Sequence, residues 1–287
     1  MTRTFRHRVI VALLLASVVS SAEPQTLRFH LVTRGSVESR LGEYGGTNSE
    51  REATLKRMFV DAGCSEHVSE QPVKRTRVPN VICVLPGTSD RVVIVGAHFD
   101  RVATSQGVAD NWSGASLLPS LYESVKIEPR AHTYIFIGFT GEEMGLVGSH
   151  FYARNMAREQ VAATDAMVNL DTLGLAPSEV WGNRSDKRLT MALDGVATLL
   201  KLPLSSVNFE DVGSTDSESF AARKIRRITI HSLTQKSEDD QILHTPKDKL
   251  SAMNLANYYD TYHLVAAYLV YLDYFLDESQ TAAATTP

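Results

Sequence analysis

The sequence contains few cysteines, and neither lies near the motifs that carry chemistry. Cys64 and Cys83 are the two cysteines among 287 residues, so a cysteine nucleophile is not expected. The segment between them has a turn-prone centre near 72–76, and a hairpin there could bring them together. A disulfide, which would stabilise the fold by about 3 kcal/mol in the chain-entropy model, and two buried thiols are both compatible with the sequence.

The chain also lacks an excess of positive charge. It has 29 basic and 33 acidic residues, for a net charge of −4. A protein that binds nucleic acid through its phosphates usually presents a basic face, so we expect no nucleic-acid partner.

Long apolar runs are missing as well. The one marked run, from Val9 to about Val19, follows three arginines and precedes the small residues Ser20-Ser21-Ala22. It is too short for a bilayer helix of about 20 residues and is typical of a signal peptide at 1–22, although a buried amino-terminal helix is the alternative. We therefore expect export to the periplasm or the medium, without stable membrane insertion.

Apolar strands and amphipathic helices alternate along the rest of the chain. The runs 91–98 and 132–139 are continuously apolar, as in strands that are covered on both faces. Further strands are expected at 78–85, 166–170 and 227–230, and helices at 50–63, 113–125, 145–158, 186–201, 216–223 and 254–276. This alternation predicts an α/β fold, a single-domain three-layer sandwich with a mostly parallel mixed sheet and helices on both faces.

Two local features qualify this assignment. Pro119 lies inside the predicted helix 113–125 and is expected to kink it. The tail at 277–287 is small and polar, which predicts disorder.

Candidate metal ligands occur where the predicted strands end. His98 and Asp100 end the strand 91–98, and residues two apart in a strand project to the same side. His98 can thus bind a metal ion while Asp100 accepts a hydrogen bond from its other ring nitrogen. A structural His–Asp pair near a turn is the alternative.

Acidic residues follow at three further places. Asp110 precedes the helix at 113, where it can cap the helix or bridge two cations. Glu142 and Glu143 follow the strand 132–139 and form either a solvated turn or a metal ligand beside a general base. Asp171 ends the strand 166–170 and, like His98, offers a donor atom that suits Zn²⁺.

The last candidate is His244, in His244-Thr-Pro-Lys-Asp248. Taken alone it is typical of a surface turn, and Pro246 and Asp248 are favoured at the start of a helix. Ligands bind beyond the carboxyl ends of the strands in an open α/β sheet. Several acids and two histidines at that edge therefore predict a pair of zinc sites.

Five motifs in this order resemble the co-catalytic zinc aminopeptidases, whose relatives include bacterial leucyl aminopeptidase and the glutaminyl cyclases. The motifs are His-x-Asp, Gly-x-x-Asp-Asn-x-Ser-Gly, Glu-Glu-x-Gly-Leu-x-Gly-Ser, Asn-Leu-Asp and His-Thr-Pro-x-Asp. The resemblance runs from about Asn48 to Val270. It implies two Zn²⁺ ions and a zinc peptidase domain over 27–276.

The resemblance also implies a role for each residue of the site. Asp110 would bridge the two metal ions, His98 and Asp171 would complete one site, and Glu143 and His244 the other.

Two more roles and one departure follow from the same comparison. Glu142 would be the general base, and Asp100 would be the partner of His98. Relatives commonly carry Ser-Asp-His where this chain has Ser214-Thr-Asp216-Ser217, which leaves the contacts to substrate there undefined. Residues proposed to shape the substrate pocket are Trp181, Asp216 and Phe220.

The predicted function is that of an exported zinc aminopeptidase acting on peptides with a free amino terminus. A glutaminyl cyclase on the same scaffold is one alternative, but cyclases tend to carry Trp at position 243 and to lack Asn at 111, where this chain has Leu243 and Asn111. A catalytically inert relative is the other. The sequence defines neither the preferred amino-terminal residue nor the oligomeric state.

Overall fold

The computed structural model describes residues 7–12, 26–208 and 213–284, with side chains for 28–208 and 213–277. Its strands are β1 His7–Ala12, β2 Thr26–Leu31, β3 Val68–Gln71, β4 Asn80–Leu85, β5 Val92–His98, β6 Thr133–Phe139, β7 Thr164–Leu170, β8 Ser178–Trp181, β9 Leu204–Val207 and β10 Arg227–His231. Its helices are α1 Arg34–Leu41, α2 Asn48–Phe59, α3 Ser113–Val125, α4 Val147–Asn155, α5 Arg158–Ala163, α6 Lys187–Leu200, α7 Ser217–Ala221, α8 Gln235–Asp239 and α9 Leu255–Ala284.

Strands β3 to β10 form one mixed sheet in the order β3-β4-β6-β5-β7-β10-β8-β9. The four central strands β6, β5, β7 and β10 are mutually parallel. Strands β4 and β8 flank them in antiparallel orientation. The predicted mostly parallel mixed sheet is therefore confirmed, and the four central strands all end at the same edge.

Side chains of the central strands alternate between two cores. On β5, Val93 and Val95 pack into the larger core with helices α2, α3, α6 and α9. Ile94 points to the opposite face and packs with Ala153 of α4 and Phe220 of α7. This period of two, in strands that are apolar on both faces, produces the three layers that the sequence predicts.

The structure differs from the sequence predictions at the helix expected at 145–158 and at Pro119. The helix expected at 145–158 ends at Asn155 as α4, because Met156 adopts an extended conformation with ψ of 126°. A separate helix, α5, begins at Arg158. Helix α3 continues through Pro119 without interruption. Nearly all of α3 is buried between the sheet and α9, so tertiary packing outweighs the hydrogen bond that proline cannot donate.

The two ends of the chain can be compared only in part with the predictions. Strand β1, within the predicted signal 1–22, pairs antiparallel with β2, whereas the expected cleavage position after Ala22 lies outside the described residues. Helix α9 continues to Ala284, beyond the expected boundary at 276. Alanines at 282–284 have the highest helix propensity, which accounts for helix where disorder was predicted. No helix in the described part of the chain is both long and apolar enough to cross a membrane.

A disulfide joins Cys64, in the turn after α2, to Cys83 on β4. The two Cα atoms are 6.3 Å apart, and both side chains are fully buried. Strand β3 pairs antiparallel with β4, so the expected hairpin is present. Of the two states that the sequence leaves open, the structure has the bridged one.

Candidate metal centre

The carboxyl ends of three adjacent parallel strands bring four of the predicted residues together. His98 is the last residue of β5, and Asp171 directly follows β7. Glu142 and Glu143 lie in the turn that follows β6. Because β6, β5 and β7 are neighbours in the sheet, these side chains share one edge.

Asp110 lies between the two histidines. Its Oδ1 atom is 3.3 Å from Nε2 of His98, and its Oδ2 atom is 3.1 Å from Nε2 of His244. The carboxylate is almost completely buried. One oxygen thus faces each imidazole, which is the arrangement that a carboxylate bridging two cations requires.

Each histidine has further acids around it. Near His98, Nε2 lies 3.8 Å from Oδ1 of Asp171 and 4.0 Å from Oε2 of Glu142. Near His244, Nε2 lies 3.1 Å from Oε2 of Glu143. Two groups of possible ligands result. One consists of His98, Glu142 and Asp171, and the other of Asp110, Glu143 and His244. The donor atoms within each group lie within 4.8 Å of one another. Each group can hold a metal ion.

Negative charge is crowded in this site. Burial and three neighbouring carboxylates raise the pKa of Glu142 to about 10, although His98 acts in the opposite direction. Burial and Asp110 likewise raise the pKa of Glu143 to about 7. In addition, Oε1 of Glu143 is buried without a hydrogen-bond partner among the described residues. Bound cations would relieve both the repulsion and the missing contact.

Asp100 orients the turn that carries both glutamates. Its Oδ1 atom accepts a hydrogen bond from the backbone N–H of Glu142 at 3.1 Å, and its Oδ2 atom accepts one from Glu143 at 3.3 Å. Nδ1 of His98 lies 3.3 Å from the backbone carbonyl oxygen of Asp100 and 3.7 Å from its carboxylate. Asp100 thus supports His98 and, in addition, fixes the glutamate turn.

A cavity of about 160 Å³ opens beside the two groups of ligands. Its polar wall contains the predicted ligands His98, Asp110, Asp171 and His244 together with Glu142. The remaining lining is formed by other side chains from several loops and strands, namely Thr172, Trp181, Ser214, Thr215, Thr229, His231, Leu233 and Leu243. The cavity is smaller than the pockets of about 300–1,000 Å³ that hold drug-sized ligands, so its volume suits one small chemical group of a ligand.

Residues 80–269, which include all of these predicted ligands, match the family model of peptidase family M28. The chain belongs to peptidase family M28.

This M28 chain is similar in sequence to a bacterial aminopeptidase. Aminopeptidase YwaD of Bacillus subtilis is 27% identical over 207 residues, covering 70% of this chain and 43% of YwaD. The chain therefore spans less than half the length of that relative.

Solved structures confirm the fold. The LapA aminopeptidase of Legionella pneumophila superposes with a TM-score of 0.74 at 20% identity, covering 84% of this chain and 71% of LapA. BSAP, a zinc aminopeptidase from Bacillus subtilis, gives 0.61 at 23% identity, covering 67% and 49%. A glutaminyl cyclase from an Acidobacteriales bacterium gives 0.69 at 15% identity, covering 92% and 100%.

Asp248 fixes the loop that carries Asp110 in this M28 chain. One carboxylate oxygen accepts hydrogen bonds from the backbone N–H groups of Val108 at 3.1 Å and Ala109 at 2.7 Å. The other accepts from Asp110 N–H and from the Ser105 hydroxyl, both at 3.2 Å. The sequence interpretation of Asp248 as an acid in the first turn of the terminal helix is wrong, since α9 begins at Leu255.

Asn111 joins the same loop to the end of β7. Its side-chain oxygen accepts hydrogen bonds from the N–H groups of Gly114 at 3.0 Å and Thr172 at 3.1 Å. Its amide nitrogen donates to the carbonyl oxygen of Leu170 at 2.9 Å. Asn111 therefore sets the position of Asp110 relative to Asp171.

His231, which sequence reasoning missed, lines the cavity at the end of β10. The N–H of Leu233 donates to its Nδ1 atom at 3.0 Å, so the neutral ring carries its proton on Nε2. Burial lowers the pKa of His231 to about 4, which keeps the ring neutral near pH 7. Its place directly after the predicted strand 227–230 is the signal that could have found it, since His98 likewise lies where a predicted strand ends.

The three residues proposed for the substrate pocket have different surroundings. Trp181 lines the cavity. Asp216 is fully buried, does not belong to the cavity lining and contributes to the raised pKa of Glu142. The pocket role predicted for Phe220 needs correction. This side chain packs against Phe139 and Tyr152 in the smaller core and does not line the cavity. Helix α7 turns this apolar side chain toward the sheet, where burial stabilises it.

Replacing Asp248 by asparagine should weaken metal binding. An amide group cannot accept all four hydrogen bonds, and its N–H₂ would face a backbone donor in the 108–110 loop. We expect zinc affinity to fall about 10- to 100-fold and the free energy of unfolding to fall by about 1–3 kcal/mol. Competition with a chromogenic chelator and urea denaturation measure the two effects.

The matched control for this variant is Asp194→Asn, which makes the same chemical change on the exposed face of α6. It should leave both quantities unchanged. Unaltered zinc affinity in Asp248→Asn would show that the loop does not depend on this carboxylate.

Proposed function

We propose that this chain is an exported zinc-dependent aminopeptidase that hydrolyses the amino-terminal residue of peptides. The observation that carries the proposal is the position of Asp110, with one oxygen 3.3 Å from His98 and the other 3.1 Å from His244. Membership of family M28 and the likeness to a structure described as a zinc aminopeptidase support the same assignment.

Five residues would hold the two zinc ions. His98 and Asp171 would bind one ion, Glu143 and His244 would bind the other, and Asp110 would bridge them. The donor set fits zinc, because it consists of imidazole nitrogens and carboxylate oxygens without thiolates. Zinc ions bound there would lower the pKa of water and polarise the scissile carbonyl group.

Glu142 would move the proton. Its carboxylate lies at the cavity, 4.0 Å from Nε2 of His98. With Asp110 as the third ligand beside His98 and Asp171, Glu142 would be left to act as the base. It would take a proton from the attacking water and pass it to the leaving amine. This side chain is largely buried, so little solvent would compete for the proton. Bound zinc ions would offset the repulsion that raises its pKa in the metal-free chain, and the carboxylate could then accept the proton.

The cavity supports removal of single residues. About 160 Å³ beside the proposed ligands accommodates one amino-terminal side chain and has no room for a polypeptide on both sides of the scissile bond. Trp181 and Leu243 would provide apolar contacts to that side chain.

Glutaminyl cyclisation is the second candidate function, since the fold matches a cyclase over its whole length. Against it, residue 243, beside the metal histidine, is leucine, and Asn111 is fully engaged in positioning the Asp110 loop.

Substrate and metal dependence test the proposed function together. The purified protein should hydrolyse aminoacyl anilides, should not cyclise peptides with amino-terminal Gln, and should contain two zinc ions per chain by atomic emission. Dialysis against a chelator should abolish hydrolysis and lower the melting temperature, because the ions bind the folded state; added zinc should restore both. Full turnover in the metal-free protein would overturn the proposal.

The variant Glu142→Gln tests the proton transfer. We expect kcat to fall by about 10²- to 10⁴-fold, while the protein keeps both zinc ions, because glutamine cannot accept the proton. Glu66→Gln, at an exposed position, is the matched control and should retain wild-type kcat. Loss of one zinc ion from Glu142→Gln would instead identify Glu142 as a metal ligand.

Export is supported by the pattern of residues 1–22 and by the disulfide between Cys64 and Cys83. Disulfides persist mainly in oxidising compartments such as the periplasm or the medium. Protein recovered from such a compartment should begin at Glu23, and its cysteines should resist alkylation until they are reduced. Mass spectrometry measures both properties, and free thiols or an intact amino terminus in that fraction would contradict export by this route.

A further inference from the structure

A basic cleft lies beside the turn that carries the two glutamates. It has a volume of about 590 Å³, and its basic lining residues are Lys74, Arg75, His150 and Arg154. Among the described residues, no carboxylate lines it. Three permanent cations and a histidine thus meet in one depression of a chain whose net charge is −4.

These cations are available to a ligand. Lys74, Arg75 and Arg154 are exposed. Within the part of the chain that the structure describes, none of the three is within ion-pair distance of an acid. Elsewhere on the surface, by contrast, arginines and lysines such as Arg34 and Lys236 pair with nearby acids. The basic cleft therefore keeps its positive charge uncompensated.

The basic cleft begins next to the proposed metal site. Gly145 and Val147 form part of its wall, and Gly145 is two residues after Glu143. Successive Cα atoms are about 3.8 Å apart, so the Cα atoms of Gly145 and Glu143 are within about 8 Å. The cleft is thus close enough for a short peptide to contact both places.

The loop that carries Lys74 and Arg75 also touches the glutamate turn. A Cβ atom placed on Gly141 would lie 3.0 Å from Cγ2 of Thr76, so Thr76 packs directly against the residue before Glu142. The turn 141–145 consequently contributes to both depressions, with Glu142 lining the cavity and Gly145 lining the basic cleft.

We propose that the basic cleft binds acidic side chains that follow the scissile bond of the peptide substrate. With the amino-terminal residue in the cavity, the rest of the peptide would cross the turn 141–145 and enter the basic cleft. The enzyme would then favour peptides with Asp or Glu after the second residue. This inference rests on the proposed aminopeptidase activity and adds a substrate class to it.

The test compares two peptides that differ only in charge, Leu-Gly-Glu-Glu-Gly and Leu-Gly-Gln-Gln-Gly. Exposed ion pairs contribute modestly, so we expect the wild type to favour the acidic peptide by about three- to tenfold in kcat/KM. Because salt screens exposed charges, 1 M NaCl should reduce this preference. In the double variant Lys74→Glu/Arg75→Glu the preference should disappear or reverse.

The matched control is Lys187→Glu/Lys201→Glu. Both lysines are exposed and belong to α6 or its end, on the opposite face of the sheet from α4. Lys201 has a positive φ of 56°, as Arg75 has one of 76°, so the two variants place comparable demands on the backbone. The control should keep the wild-type preference for the acidic peptide.

Hydrolysis of an aminoacyl anilide separates failure of the inference from failure of the proposed function, because the anilide has no residue to place in the basic cleft. If the wild type cleaves neither the anilide nor the peptides, the aminopeptidase assignment fails. If it cleaves them with equal kcat/KM for the two peptides, or with a preference that Lys74→Glu/Arg75→Glu leaves unchanged, the basic cleft does not select substrates.

Discussion

Asp110 lies between His98 and His244 with one carboxylate oxygen turned to each imidazole, and the rest of the site is arranged around this contact. The two histidines come from distant parts of the chain, one from the end of β5 and the other from a loop before α9. The carboxylate of Asp110 can stay close to both histidines only if the backbone of its loop is held in place. Asp248 and Asn111 provide this through buried hydrogen bonds to the loop before and after Asp110.

The same arrangement makes the site electrostatically unfavourable without cations. Burial and neighbouring acids raise the pKa values of Glu142 and Glu143, which means that the folded chain resists holding all its carboxylates ionised. Metal binding in such a site is coupled to folding, because the folded protein gathers ligands that the unfolded chain keeps apart. Stability and metal affinity should therefore change together when a residue that supports the Asp110 loop is replaced.

The basic cleft illustrates the opposite case, in which positive charge is concentrated without acidic partners. Lys74 and Arg75 lie in the loop between β3 and β4, whereas Arg154 lies on α4. Arg154 follows Lys74 by 80 residues in the chain, and the pairing of β4 with β6 brings the two segments together. Net charge and composition, which are acidic overall, give no indication of such a local feature.

The sequence by itself determined the strand–helix alternation and the residues that follow each central strand. Continuous apolar runs predict buried strands regardless of which strands pair with them. The sequence therefore placed four residues at strand ends before any distance was known, namely His98, Glu142, Glu143 and Asp171. Only the tertiary structure decided which other residues support these side chains and which residues line the cavity beside them. The hydrogen bonds of Asp248, the cavity position of His231 and the core position of Phe220 depend on loop paths and strand order, which arise from long-range packing that local periodicity does not encode.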